Sequence, residues 1–245
     1  MDYQWNWAIF SQETAMGDGS THWGWMLSGL QVTIALSLSA WLLALVLGSL
    51  MGVLRTAPNK WLSRLATAYV EVLRNIPLLV QLFIWYFIVP ELLPLSWGHA
   101  IKQMPPLVQQ FGAAFICLGL FTSARVCEQV RAGIQSLPVG QTQAALALGL
   151  SLSQTYRHVL LPMAFRLVVP PLTSEFLNIF KNSAVCSTIG LLELTAQGRQ
   201  LVDYTAQPYE SFIAVTLMYV AINIVVMALM HQLERKLKVP GYMGS

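Results

Sequence analysis

A chain of 245 residues with 56% hydrophobic and only 10% charged residues, at mean hydropathy +0.57, falls far below the roughly 25% charge of a soluble domain and belongs in lipid. Its net charge of +3 is too small for a nucleic-acid binder. Cys117, Cys127 and Cys186 are odd in number and scattered through apolar stretches, which gives neither a disulfide framework nor a metal spacing, so they read as small hydrophobes.

The first two dozen residues hold Asp2, Glu13 and Asp18, no Lys or Arg, and no compact apolar core ending in a cleavage site. A cleaved signal peptide is not expected, and the first spanning helix must direct its own insertion. Trp5, Trp7, Trp23 and Trp25 fit an aromatic belt at the membrane interface. Ser28 to Leu54 carries no charge and is long enough to span; its Gly48 and Gly52 have the spacing of close helix packing. Ile76 to Leu95, with only Glu91 near one end, is the second expected span. Phe111 to Ile134 is the third, apolar until Arg125, Glu128 and Arg131. Leu167 to Leu192 is the fourth, interrupted by Pro170-Pro171, Glu175 and Lys181, and the uncharged Ser211 to Met230 is the fifth. The expected fold is all-α: a polytopic integral membrane protein with five transmembrane helices.

Five spans put the termini on opposite sides, and Lys and Arg decide which is which. Arg55, Lys60 and Arg64 follow the first span; Arg131, Arg157 and Arg166 surround the connection between the third and fourth; Arg235, Lys236 and Lys238 follow the fifth. The other side has only Lys102 and Arg199, so the N-terminus is expected outside and the C-terminus in the cytoplasm.

That connection contains Gln143 to Pro162, too polar and interrupted to cross a bilayer. Pro138 suits a helix start and Gly149 a left-handed helix end, which predicts one short helix between them. Ser151 followed by Gln154 makes a capping box, and Pro162 predicts the stop of a second short helix over about Leu152 to Leu161. At roughly 15 Å each, the pair is expected at the cytoplasmic surface. An amphipathic lid lying on lipid is one reading. Ala144, Ala145 and Ala147 offer little to bury there, whereas small side chains suit a helix seated in a groove of another protein.

Charges within a span are expensive and ask for a partner or a water-filled cavity. Arg125, Glu128 and Arg131 recur every three residues on one helix face. Arg125 and Glu128 could form an ion pair that only locks packing; alternatively, one arginine in excess leaves a two-pronged guanidinium free for a substrate carboxylate. Arg131 falls near the cytoplasmic surface and would support the loop. Lys181 and Glu175 follow the proline pair, where substrate contact by Lys181 competes with structural pairing.

The chain has no Gly-x-x-x-x-Gly-Lys-Ser/Thr phosphate loop, so a partner must hydrolyse any ATP. His22, His99, His158 and His231 are dispersed, which argues against a membrane enzyme. A secondary amino-acid transporter or a channel, independent of ATP, is the main alternative, and it usually shows internal repeats that this chain lacks.

Ala144, Ala145, Gly149, Leu161 and Pro162 match, in identity and spacing, the cytoplasmic loop of ATP-binding cassette (ABC) importer permeases, with Gln143 in place of the usual Glu and Val159 in place of Ile. Leu73-Arg74-Asn75-Ile76-Pro77-Leu78-Leu79-Val80-Gln81, Gln135-Ser136-Leu137-Pro138 with Gly140-Gln141, and Lys181-Asn182-Ser183-Ala184 extend the likeness over nearly the whole chain. The chain resembles the polar-amino-acid branch of these permeases, and most of all those of the glutamate/aspartate system. The resemblance implies a type I importer permease fold, with a single permease domain over residues 1–245 and a coupling-helix loop at 138–162. It implies an inner-membrane location, two cytoplasmic ATPase subunits that bind ATP and Mg, a periplasmic binding protein, and a second permease subunit in a heterodimer. No cofactor is expected on this chain. Gln143, Ala144, Ala145, Gly149, Leu161 and Pro162 would couple to the ATPase, while Arg125, Glu128 and Lys181 are the candidate substrate-binding residues. In related permeases for neutral or basic amino acids the position of Arg125 looks more often uncharged, so an Arg there fits an acidic substrate.

Overall fold

Helices form where uncharged runs are long and stop where proline or glycine removes the next hydrogen bond. A computed structural model describes residues 3–14 and 19–237; Asp2, Asp18 and Lys238, which entered the charge distribution, lie outside the described residues. The helices are α1 (His22–Thr56), α2 (Lys60–Asn75), α3 (Leu78–Leu92), α4 (Leu95–Lys102), α5 (Pro106–Gln135), α6 (Val139–Ala147), α7 (Leu152–Ile189), α8 (Leu194–Thr205) and α9 (Pro208–Leu237). Helices α1, α5, α7 and α9 are each long and apolar enough to cross a membrane.

The expected span over Ile76–Leu95 takes a different form. Pro77 disfavours a helical residue before it, Ile76 is extended at φ −99° and ψ 127°, and so α2 ends at Asn75 and the expected span is left with the shorter α3. Only the broken pair together supplies a fifth candidate span, since α3 alone would measure about 22 Å against the ~30 Å of a hydrocarbon core.

The expected stop at Pro162 is overturned. Helix α7 runs from Leu152 through a π-turn at Tyr156–Leu160 and on past Pro162, Pro170 and Pro171. Proline lacks the N–H and its ring crowds the carbonyl four residues back. The π-turn adds a residue just ahead of Pro162, and the Leu161 N–H bonds to the Tyr156 carbonyl. The same device recurs in α3, where the π-turn Ile84–Ile88 precedes Pro90 and the Val89 N–H bonds to the Ile84 carbonyl. The second short helix of the loop is therefore the first part of the fourth span.

The chain forms two compact units, and their boundaries fall inside α1, α5, α7 and α9. The first comprises Met1–Ala40, Leu78–Leu118 and Asn178–Val225. Here the foot of α8 is locked to α1: the Leu194 N–H donates to Thr33 Oγ1 at 3.1 Å, and Gln197 Nε2 donates to Ser28 Oγ at 3.3 Å. A Cβ on Gly29 would come within 2.7 Å of Gln197 Cγ, so only glycine admits this approach. Glu193, fully buried, caps α8 by accepting from the N–H groups of Thr195 (3.0 Å) and Ala196 (2.8 Å) and from the Tyr219 hydroxyl (2.9 Å). Burial holds its carboxyl above the usual carboxylate range against the pull of these donors. Trp5, Trp7 and Trp23 are exposed as an interface belt requires, but Trp25 is buried and packs edge-on to Tyr204.

The second unit comprises Trp41–Pro77, Gly119–Leu177 and Val226–Ser245. Gly48 and Gly52 do bring α1 close to α5, since a Cβ at either would lie under 3 Å from the Val126 or Val130 side chain. Helix α2 packs Val70 against Ala124 and Cys127 of α5, and Tyr69 and Ser123 share a 2.5 Å hydroxyl contact. All three cysteines are buried and unpaired.

Candidate functional site

Helix α5 brings Arg125, Glu128 and Arg131 onto one face, as their spacing requires, but they pair differently from the expected Arg125–Glu128 bridge. Glu128 Oε1 receives Arg55 Nη1 from α1 and Arg74 Nη1 from the last turn of α2 at 3.3 Å. Glu128 Oε2 receives Arg131 Nε at 3.0 Å and Nη2 at 2.9 Å. One carboxylate thus ties three arginines from three helices, which satisfies its lone pairs. Arg131 also donates to Gln135 Oε1 at 2.7 Å, near the start of the cytoplasmic loop.

Arg125 is the cation left over. Its guanidinium lies 4.4 Å from the centre of the Phe121 ring, and it forms no ion pair among the described residues. A ring face holds a guanidinium in place yet leaves its in-plane N–H groups unused. Beside it on α7 stands Glu175, whose Oε2 is buried with no hydrogen-bond partner among the described residues. Arg74, Arg125, Glu128, Gln129 and Glu175 line a cavity of about 290 Å³. Lys181 is exposed in the last turn of the Leu161–Asn182 stretch and does not belong to this lining. Arg74, Gln129 and Glu175 were not picked out as site residues from the sequence. Only Glu175 carried a signal there, as a charge within an apolar span.

The loop is built from α6 and the start of α7. Helix α6 closes with two bonds around a left-handed Gly149 (φ +85°): the Gly149 N–H to the Leu146 carbonyl at 3.0 Å and the Leu150 N–H to the Ala145 carbonyl at 3.2 Å. The Ser151–Gln154 capping box forms in both directions. Ala145 is buried in the chain's own fold, while Gln143, Ala144, Gly149 and Pro162 are exposed and Leu161 is half-buried. Leu146, Leu148 and Leu152 are exposed as well, so α6 and the turn into α7 present an uncharged surface with three leucines, while Arg157 is exposed further along α7. Its underside is seated by Ile134, Leu137, Leu160 and Ala164, and the Tyr156 hydroxyl ties it to the Thr56 carbonyl at the end of α1 (2.7 Å).

Residues 44–239 match the family of binding-protein-dependent transport system inner membrane components. The chain is 56% identical over 246 residues to the glutamate/aspartate import permease protein GltJ of Escherichia coli (strain K12), covering 100% of both. It is 35% identical over 212 residues to the probable glutamine ABC transporter permease protein GlnM of Bacillus subtilis (strain 168), covering 86% of this chain and 93% of that one. Among solved structures, an amino acid ABC transporter with histidines matches at TM-score 0.74 and 30% identity, over 86% of this chain and 94% of its own. An inward-facing MetNI methionine ABC transporter shares the fold at TM-score 0.73 and 21% identity, over 87% and 96%. The chain therefore belongs to the binding-protein-dependent transport system inner membrane components, as a non-enzymatic permease subunit of type I fold that works in the inner membrane with an ATPase and a substrate-binding protein.

Proposed function

We propose that this chain is the pore subunit of an ATP-driven importer for acidic amino acids, glutamate and aspartate. The observation that carries the reading is Arg125, a guanidinium on a spanning helix that faces a cavity and has no ion-pair partner among the described residues. Half-buried and unpaired there, it gains most from a carboxylate. The 56% identity to a glutamate/aspartate import permease over the full chain supports the same substrates. An ATP-independent transporter is not favoured.

Arg125 anchors one substrate carboxylate. Glu128 borders the site and serves it by occupying Arg55, Arg74 and Arg131, which keeps α1, α2 and α5 fixed around the cavity. Lys181, exposed and outside the lining, is assigned no direct contact. ATP and Mg are held by the partner ATPase, with no cofactor on this chain. The ATPase meets the loop through Gln143, Ala144, Gly149 and the exposed leucines, while Ala145 and Leu161 seat the loop on the spans and Pro162, exposed on α7, borders the docking face. A second, homologous permease subunit completes a heterodimer. The positive-inside distribution supports an outer N-terminus and a cytoplasmic C-terminus. A reporter active only in the cytoplasm is expected to be silent near Trp97 and active near Val139 or after Ser245; activity at Trp97 would overturn that orientation.

The test of function is uptake of labelled glutamate into vesicles holding the assembled importer. Uptake is expected to require ATP and the ATPase subunit, and uptake unchanged after ATPase removal would overturn the reading.

A further inference from the structure

The cavity contains more than an anion receptor. Four arginines, Arg55, Arg74, Arg125 and Arg131, face two carboxylates, Glu128 and Glu175, in and around it. Glu128 is fully engaged by three of the cations, and Arg125 is held by the Phe121 ring. Glu175 is the exception. Its Oε2 is cut off from solvent and accepts no hydrogen bond among the described residues.

A carboxylate oxygen so placed pays for its desolvation without return unless a donor arrives from outside the chain. Gln129, which shares the lining, leaves it unbonded, as does Arg125. Glu175 is half-buried and lines the cavity with no hydrogen bond or ion pair among the described residues, so the donor its carboxylate lacks is a small cationic or N–H group that enters the cavity and meets the part of the carboxylate exposed there. At about 290 Å³ the space lies at the lower limit of ligand pockets, which begin near ~300 Å³, and suits a single amino acid. An amino dicarboxylate carries both complements on one short skeleton: carboxylates for Arg125 and an ammonium group for Glu175.

Resting on the reading of Arg125 as the carboxylate anchor, we propose that Glu175 is a substrate-binding residue that accepts the substrate's ammonium group. The pair Arg125–Glu175 would then read the zwitterionic part of the substrate. The chain would reject plain dicarboxylates by its own chemistry, independently of the binding protein, because without the ammonium group such a ligand brings only negative charge toward Glu175.

The test uses the assembled permease–ATPase complex without its binding protein, so that only this chain's selectivity is read. Equilibrium binding is measured for L-glutamate and for glutarate, the same dicarboxylate without the amino group, on wild type, Glu175→Gln, Glu175→Asp and Arg125→Met. Wild type is expected to prefer L-glutamate by about 10-fold or more, the scale of one charge-assisted hydrogen bond. In Glu175→Gln that preference is expected to collapse, because L-glutamate weakens while glutarate is unchanged or binds more tightly; Glu175→Asp restores part of it. Arg125→Met is expected to weaken both ligands together. Equal weakening of both ligands by Glu175→Gln, an undiminished preference, or a wild type that binds neither would each overturn the assignment of Glu175. Loss of preference in Glu175→Gln together with unchanged binding in Arg125→Met would instead refute the Arg125 reading and leave Glu175 standing.

Discussion

Two glutamates show how the same residue is used in opposite ways. Glu193, at the start of α8, is fully buried, and two backbone N–H groups and the Tyr219 hydroxyl meet its oxygens within 3.0 Å. Glu175, on α7, has a buried oxygen with no partner among the described residues, and it lines a cavity opposite an unpaired arginine. The first carboxylate is spent on the fold, since every lone pair that faces a donor belongs to its own chain. The second is left unspent, and a fold tolerates that cost where something else completes the bonds. Burial alone therefore does not mark a functional charge in this protein; the lack of a partner does.

The contrast can be tested by removing charges and comparing stability with transport. Glu128→Leu is expected to be the most damaging change, because it strands Arg55, Arg74 and Arg131 together. Arg55 and Glu128 are only 11% and 18% exposed, and breaking pairs so placed costs up to about 3–5 kcal/mol, so the subunit should fail to accumulate or melt well below wild type. Glu193→Leu comes next, because it removes the N-cap of α8 at about 0.5–2 kcal/mol while the Tyr219 hydroxyl keeps its contact with Thr195 Oγ1; a lowered melting temperature in detergent is the readout, and an unchanged one would show that the cap is dispensable. Ala145→Asp is expected to act in the same class, at about 2 kcal/mol or more for a charge pressed into a packed site. Leu148→Asp, at a side chain 83% exposed, should leave the isolated subunit's stability within about 0.5 kcal/mol of wild type and instead break the link between ATP hydrolysis and uptake. If Ala145→Asp alone uncouples and Leu148→Asp does not, the docking face has been assigned to the wrong side of α6. Glu175→Gln should have the smallest effect on stability, within about 2–4 °C in melting temperature, the shift that corresponds to ~1 kcal/mol in a chain of this size. A larger drop would place Glu175 with Glu193 as a structural carboxylate and erase the contrast.

Much of the loop was legible in the sequence because its signals are local. The left-handed Gly149 and the Ser151–Gln154 box depend on neighbours within one or two turns, and the structure shows both. Pro162 misled because its usual consequence can be absorbed by an inserted π-turn, which no spacing rule announces. Helix α2 was not anticipated because Lys60, Arg64, Glu71 and Arg74 make Lys60–Asn75 too charged for a span, and the expected span began only at Ile76. In the cavity, the i to i+3 spacing suggested Arg125–Glu128, but the partners that capture Glu128 first are Arg55 and Arg74, brought from other helices. Long-range competition for one carboxylate decides which arginine stays free, and that competition is not written in any one helix.

Glutamate uptake by the assembled importer carrying Arg125→Lys or Arg125→Met, with melting temperature measured alongside, tests the central claim most directly. Lysine keeps the charge but loses the two-pronged geometry, and methionine loses both. The expected result is a graded fall, wild type above Arg125→Lys above Arg125→Met, at nearly constant stability because no ion pair of Arg125 is broken. Wild-type uptake of glutamate and aspartate by Arg125→Met, in a subunit that is stable and still coupled to ATP hydrolysis, would contradict the account.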